Sequence, residues 1–251
     1  MEGPEPVAVQ LQSLPAPDTL EFSLPPGHVC LVSGDGSKLT AALVRSLADR
    51  GWPVVLLHSA DLGDITPGLP VQVPVVTLAA ADESALRDAL IAVEMHGPVG
   101  TVVILQPPTR LDADSGVGAG ASSWDIAPLR VPFLLAKHLQ PSLTGAVTQI
   151  AGSRAAFVTV LRLDGALGVT GRIAGSPVSA GILGMTKSLR LEWPEVFCRA
   201  IDLDPAMAAD AAADAVMAEL FDPDRLTAEV GLSSQGRVTL TAGSFGAGGV
   251  A

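Results

Sequence analysis

The sequence predicts an α/β fold, a Rossmann-like doubly wound parallel sheet, on three observations. Short blocks rich in Val, Leu and Ile alternate with helical patterns along nearly the whole chain. The blocks read as continuous apolar runs, as strands buried on both faces do. Joining the first block to the first helical pattern is a glycine-bearing turn, "SGDGSKLT". Alternation of this kind places helices on both faces of a mostly parallel sheet.

Each element follows from local pattern. "HVCLVSG" is the first strand. "SKLTAALVRSLADRG" sets Leu39, Ala42, Leu43 and Leu47 on one stripe, with Gly51 as its stop. "PVVLLHS" is a second strand and "VQVPVVTL" a third, placed at an edge or a bulge by Pro74. "DESALRDALIAVEMHG" is helical, opening on Asp82 as cap. "TVVILQPP" is a fourth strand, stopped by Pro107 and Pro108. After the loop "DADSGVGAGASS" comes a long helix, "WDIAPLRVPFLLAKHLQPSL", and then a fifth strand, "AAFVTVLRL". "SPVSAGILGMTKSLRLEW" is a helix, "FCRAIDL" a sixth strand, and "DPAMAADAAADAVMAELF" a helix with Pro205 near its first turn. "TAEVGL" and "GRVTLTA" close the pattern. Residues 1–20, rich in Pro, read as a linker or an edge segment, 21–241 as the Rossmann-like domain, and 242–251 as a flexible linker tail.

Composition narrows the function. Net charge is −11, which repels a phosphate backbone and argues against nucleic acid as a partner. No apolar run reaches the roughly 18 residues a membrane span needs. No basic region leads into an apolar one at the start, so no secretion signal is read and a cytoplasmic setting is expected. Cys30 and Cys198 lie inside apolar runs and are expected as buried free thiols. His28, His58, His96 and His138 are scattered without ligand spacing, so no metal is expected. The chain has no tyrosine, which excludes a phenolic proton donor of its own.

The blocks "PPGHVCLVSGDGSKLTAALVRSLADRGWPVVLL", "PFLLAKHLQPSL", "AAFVTVLRLDGALG", "SPVSAGILGMTKSLRLEWPEVFCRAIDLDP" and "DPDRLTAEVGL" appear in this order over roughly residues 5–240. Together they resemble the ketoreductase region of multidomain polyketide synthases, in the form found in polyunsaturated fatty acid synthases. That region is a short-chain dehydrogenase/reductase. The resemblance implies two Rossmann-like halves, one structural, the other binding NADPH and reducing a β-ketoacyl chain.

The family's residues do not carry over. In its T-G-x-x-x-G-x-G turn, Ser33 and Gly34 match the Thr–Gly; Lys38 and Thr40 stand where the later glycines belong, and Gly36 is out of register. The degenerate loop Ser33, Gly34, Asp35, Gly36, Ser37, Lys38 is therefore read as binding no cofactor, the Lys38 stem and Thr40 crowding the place of the pyrophosphate. It is not a P-loop either, because Ser37 precedes Lys38 and Leu39 follows it. Asp61 comes late for a cofactor-selecting acid and reads as a turn residue. The catalytic tyrosine falls at Gly175 and the lysine at Ser179, the serine near Leu161 and Arg162, and the asparagine near Pro128. No catalytic residue is assigned.

Lys187 reads as a solvated face residue, "DGALG" as a tight turn with Asp164 near Arg162, and Asp202, Asp204, Asp222 and Asp224 as caps and turn residues. The expected function is that of the structural half, inactive, without cofactor, packed against the adjacent catalytic ketoreductase half and neighbouring synthase domains. The helix around Ser179–Gly184 is the expected contact. An acyl carrier domain, usually acidic, is disfavoured as a partner by the chain's charge. The alternative is an NADPH-dependent β-ketoacyl reductase with an atypical site.

Overall fold

The computed structural model describes residues 8–64, 67–107, 126–147, 152–171 and 177–243. Nine strands form one sheet: β1 (Ala8–Leu14), β2 (Val29–Ser33), β3 (Val54–Ser59), β4 (Val75–Leu78), β5 (Val99–Leu105), β6 (Ala156–Leu161), β7 (Phe197–Leu203), β8 (Glu229–Ser233) and β9 (Gly236–Gly243). Their order is β1-β9-β8-β7-β6-β5-β2-β3-β4. The pairings from β8 across to β4 are parallel; β9 runs antiparallel to both β8 and β1.

Five helices cover the two faces: α1 (Lys38–Asp49), α2 (Glu83–Glu94), α3 (Ala127–Gly145), α4 (Gly181–Glu192) and α5 (Ala209–Leu220). α2, α3 and α4 pack on one face, through residues such as Leu86, Leu135 and Ile182; α1 and α5 pack on the other, through Leu43, Leu47 and Val216. Because both faces are covered, β5, β6 and β7 are buried at every residue. That is why their sequences lack a polar alternation. The chain leaves β2 towards β3 on one side and returns through β5 on the other. Between β2 and β5 lies the switch point, where sheets of this type form a crevice at the carboxyl ends of the strands.

Local signals hold at several ends. Asp82 caps α2, its Oδ1 accepting from Ala85 N at 2.9 Å. Pro74 directly precedes β4, the sheet's edge strand, where no ladder bond is lost. Two boundaries differ. α5 begins at Ala209, so Pro205 lies in the turn before it: Asp204 accepts from Ala206 N (2.8 Å) and Met207 N (3.0 Å) and delays the helix. β9 runs to Gly243, past the expected start of the tail at 242, while Ala8–Leu14, within the segment read as a linker or an edge segment, is β1 at the edge of the sheet. Residues 244–251 and 108–125, which take in the whole "DADSGVGAGASS" loop, lie outside the described residues.

Candidate functional site

The crevice at the switch point is built from the ends of β2, β3 and β5 and the first turns of α3. It is a recess of about 260 Å³ whose lining includes Ser59, Asp61, Leu62, Gln106, Pro128 and Val131. Asp61 sits in a single 3-10 turn, Ala60–Leu62. Gln106 donates from Nε2 to the Pro128 carbonyl at 2.8 Å, tying the end of β5 to α3 at the position where the family's asparagine is expected.

The β2–α1 turn forms one wall. A helix start offers backbone N–H groups and a positive dipole end, and a nucleotide phosphate would occupy that place. Here the chain's own Asp35 takes it. Asp35 Oδ1 accepts from Ser37 N (2.9 Å) and from the Thr40 hydroxyl (2.7 Å), and Oδ2 accepts from the Ser37 hydroxyl (2.9 Å). Thr40 Oγ1 in turn accepts from Asp35 N at 3.1 Å, and Ser37 Oγ caps Leu39 N at 3.1 Å. The carboxylate is 6% exposed, so the ring of bonds is held inside the turn. Gly36, at φ +75°, provides the left-handed bend that folds Asp35 back. A Cβ on Gly34 would stand 2.9 Å from Thr40 Cγ2, so Thr40 fills the space beneath that glycine.

The expected cause of crowding is thus corrected in part. Lys38 is exposed on the first turn of α1 and is not part of the recess wall. Thr40 does fill the turn, but from below, and the group standing at the anion position is Asp35. Its pattern, Asp-x-Ser-x-x-Thr, is visible in "DGSKLT" as the usual chemistry of a self-capped turn. At this helix start the Ser37 and Leu39 N–H groups are engaged by the chain's own Asp35 and Ser37 side chains.

Elsewhere on the same edge, a second loop is closed by carboxylates. Asp202, fully buried near the end of β7, accepts from Leu163 N (2.7 Å) and Leu167 N (2.8 Å). Asp164 Oδ1 accepts from Ala166 N (2.9 Å) and Gly168 N (2.8 Å), and its Oδ2 from the Thr170 hydroxyl (2.6 Å). Between them they hold Leu167 at φ +61°, a left-handed conformation uncommon for a branched residue. Burial and the neighbouring Asp164 push the Asp202 carboxyl up to about 7, against the bonds from Leu163 and Leu167. Burial also acts to raise Asp164, but the bonds from Thr170, Gly168 and Ala166 prevail and hold it down at about 2.

Two expectations are corrected here. Asp202 is a buried strand residue rather than a cap or turn residue, because loop N–H groups reach down to it. Lys187 is paired, its Nζ 2.9 Å from Glu229 Oε2 across the α4–β8 gap, rather than merely solvated.

The remaining positions separate. Leu161 ends β6 and is buried, with Arg162 next to it reaching towards the Pro205 carbonyl at 3.5 Å. Pro128 opens α3, Ser179 is buried in the turn before α4, and Gly175 lies outside the described residues. Within Ser179–Gly184, Ile182 and Leu183 pack inward, while Gly181 meets Leu129 of α3 and Gly184 faces open space. Asp204, Asp222 and Asp224 accept backbone N–H groups of their own turns, as expected, and Asp222 is also buried in an ion-pair network with Arg199 and Arg237. His58 Nε2 lies 2.8 Å from the Gly63 carbonyl and His138 Nε2 2.9 Å from Glu83, while His28 and His96 stand apart from both. Cys30 and Cys198 are buried free thiols; burial pushes Cys30 far up and Cys198 up to about 12. No helix among the described residues is long and apolar enough to cross a membrane.

No protein-family model matches the chain. In sequence it is 31% identical over 233 residues to a polyunsaturated fatty acid synthase subunit of Thraustochytrium sp.; the match takes in 90% of this chain but only 8% of that protein's length. In fold it is similar to a 3-ketoacyl-(acyl-carrier-protein) reductase from Brucella melitensis, solved with NADH, at TM-score 0.56 and 16% identity, covering 78% of this chain and 91% of that one. A 3-hydroxyacyl-CoA dehydrogenase type-2 from Mycobacterium avium gives TM-score 0.55 at 18% identity, covering 83% and 94%. The chain has the short-chain dehydrogenase/reductase fold and is related in sequence to a segment of a polyunsaturated fatty acid synthase subunit.

Proposed function

We propose that this unit is the non-catalytic, structural half of a ketoreductase region in a polyketide or polyunsaturated fatty acid synthase. It holds a catalytic half in place and binds no nicotinamide nucleotide. The observation carrying this reading is the Asp35 carboxylate at the start of α1, which satisfies the Ser37 N–H and the Thr40 hydroxyl where a phosphate would be bound. The lack of any tyrosine supports the same reading, since a phenol is the proton donor that carbonyl reduction in this family uses. Partner contact through the outward side of α4 at Gly184 fits the open space there.

An atypical NADPH-dependent reductase is the second reading, favoured by the 260 Å³ recess that persists beside the turn. Two assays separate them. Supplied with NADPH and a β-ketoacyl thioester, the chain alone consumes no NADPH above the buffer rate; steady turnover overturns the scaffold reading. Co-expression with the catalytic half of the same synthase raises that half's soluble yield and activity. An equally soluble and active half made alone also overturns it.

A further inference from the structure

On the opposite edge of the sheet, below β7, lies a recess of about 300 Å³ that plays no part in the scaffold reading. Val196 and Cys198, 2% and 4% exposed, belong to its floor. Leu191 and Leu226 stand on its rim, 80% and 83% exposed, more than any core-forming role explains. Arg190 and Arg225 complete the wall. Arg190 Nε donates to the Arg225 carbonyl (3.0 Å) and Arg225 Nη2 donates to the Pro194 carbonyl (2.8 Å), which anchors each side chain on the wall of the recess.

Neither guanidinium has a carboxylate partner among the described residues. The adjacent Asp224 carboxylate is turned to its own loop, accepting from Leu226 N at 2.7 Å. The flanking Glu192 and Glu195 are exposed but do not line the recess, so the charged groups on its wall are Arg190 and Arg225. A guanidinium fork matches the two oxygens of a carboxylate. The volume is at the small end of ligand sites, roughly 300–1,000 Å³.

We propose that this recess binds an aliphatic carboxylate, its head on Arg190 and Arg225 and its chain along Leu191 and Leu226 towards Val196. The test is calorimetric titration of the whole chain with decanoate below its micellar concentration, with decanol and inorganic phosphate as controls. Decanoate binds saturably at one site, and decanol and phosphate each bind at least tenfold more weakly. The double variant Arg190→Gln/Arg225→Gln loses at least tenfold. Leu226→Asp, on the solvent-exposed rim where the fold is indifferent, loses a similar factor by repulsion. Decanoate binding no tighter than decanol, phosphate binding as tightly as decanoate, or binding unchanged in both variants overturns the proposal. So does an acidic peptide that binds where decanoate does not.

Discussion

At the carboxyl edge of the sheet, Asp35, Asp164 and Asp202 accept N–H groups from turns that enter a helix or reverse the chain. At the amino edge, arginines donate to carbonyls where helices stop. Arg154 reaches the Leu220 and Asp222 carbonyls at the end of α5, and Arg225 reaches Pro194 just past α4. In a parallel α/β unit all helices start at one edge and finish at the other, so free N–H groups collect at the first and free carbonyls at the second. The charges follow that polarity. What differs is that Arg154, Arg190 and Arg225 at the amino edge donate to carbonyls and have no carboxylate partner among the described residues, while the carboxyl edge places a carboxylate, Asp35, at the start of α1.

Breaking the amino edge has the largest expected effect. Glu219, fully buried, accepts from Arg199 at 2.8 Å and from Arg237 at 2.6 and 2.9 Å, joining β7, α5 and β9. Removing one member of a buried pair leaves the other charged and unsolvated, at a cost of roughly 3–5 kcal/mol. Glu219→Ala therefore lowers stability by about that amount in urea unfolding; a loss under about 1 kcal/mol contradicts the network's role.

The carboxyl edge is expected to respond less. Asp35→Ala strips the acceptor from the Ser37 N–H and the Thr40 hydroxyl, a loss of roughly 1–3 kcal/mol for unsatisfied buried donors. Asp35→Asn keeps an acceptor oxygen on those two donors and places an amide N–H₂ on the Ser37 hydroxyl oxygen, so it retains most of the stability. Urea midpoints of the two variants, compared with the unaltered chain, check both. Equal losses mean that the charge of Asp35, rather than its hydrogen bonds, holds the turn.

The subtlest readout is a change of slope with pH in the second carboxylate loop. Asp202 is raised from 3.8 to about 7, so the folded chain keeps a proton that the unfolded chain has released, and stability from this group falls as pH rises from about 4 to 7. Asp164 is lowered from 3.8 to about 2, so its contribution is present above about 4 and is lost as pH falls towards 2. This loop is therefore most stable near pH 4. A tenfold change in a carboxylate's proton affinity on folding corresponds to about 1.4 kcal/mol. Asp164→Asn removes the neighbouring charge, and the decline in unfolding free energy between pH 4.5 and 7 becomes shallower; an unchanged slope contradicts the coupling.

Much of the fold is legible in the sequence. The sheet is readable because β5, β6 and β7 are buried on both faces, so apolar residues dominate them and no solvent-facing alternation breaks the runs. Asp82 and Pro74 announce an end and an edge by chemistry that needs only near neighbours. The site is harder. Lys38 draws attention by its length, yet its place on the first turn of α1 points it to solvent. Asp35 is short and lies next to glycines; its importance depends on Thr40, five residues on, turning inward to meet it. Asp202 escapes the sequence for a related reason. Its partners are backbone N–H groups of Leu163 and Leu167, more than thirty residues away, and no local pattern records them.

Equilibrium titration of the chain with NADPH, followed by nicotinamide fluorescence, tests most directly whether Asp35 has closed the phosphate position. The account predicts a linear, unsaturated response indistinguishable from nucleotide in buffer. Saturable binding in the micromolar range contradicts it.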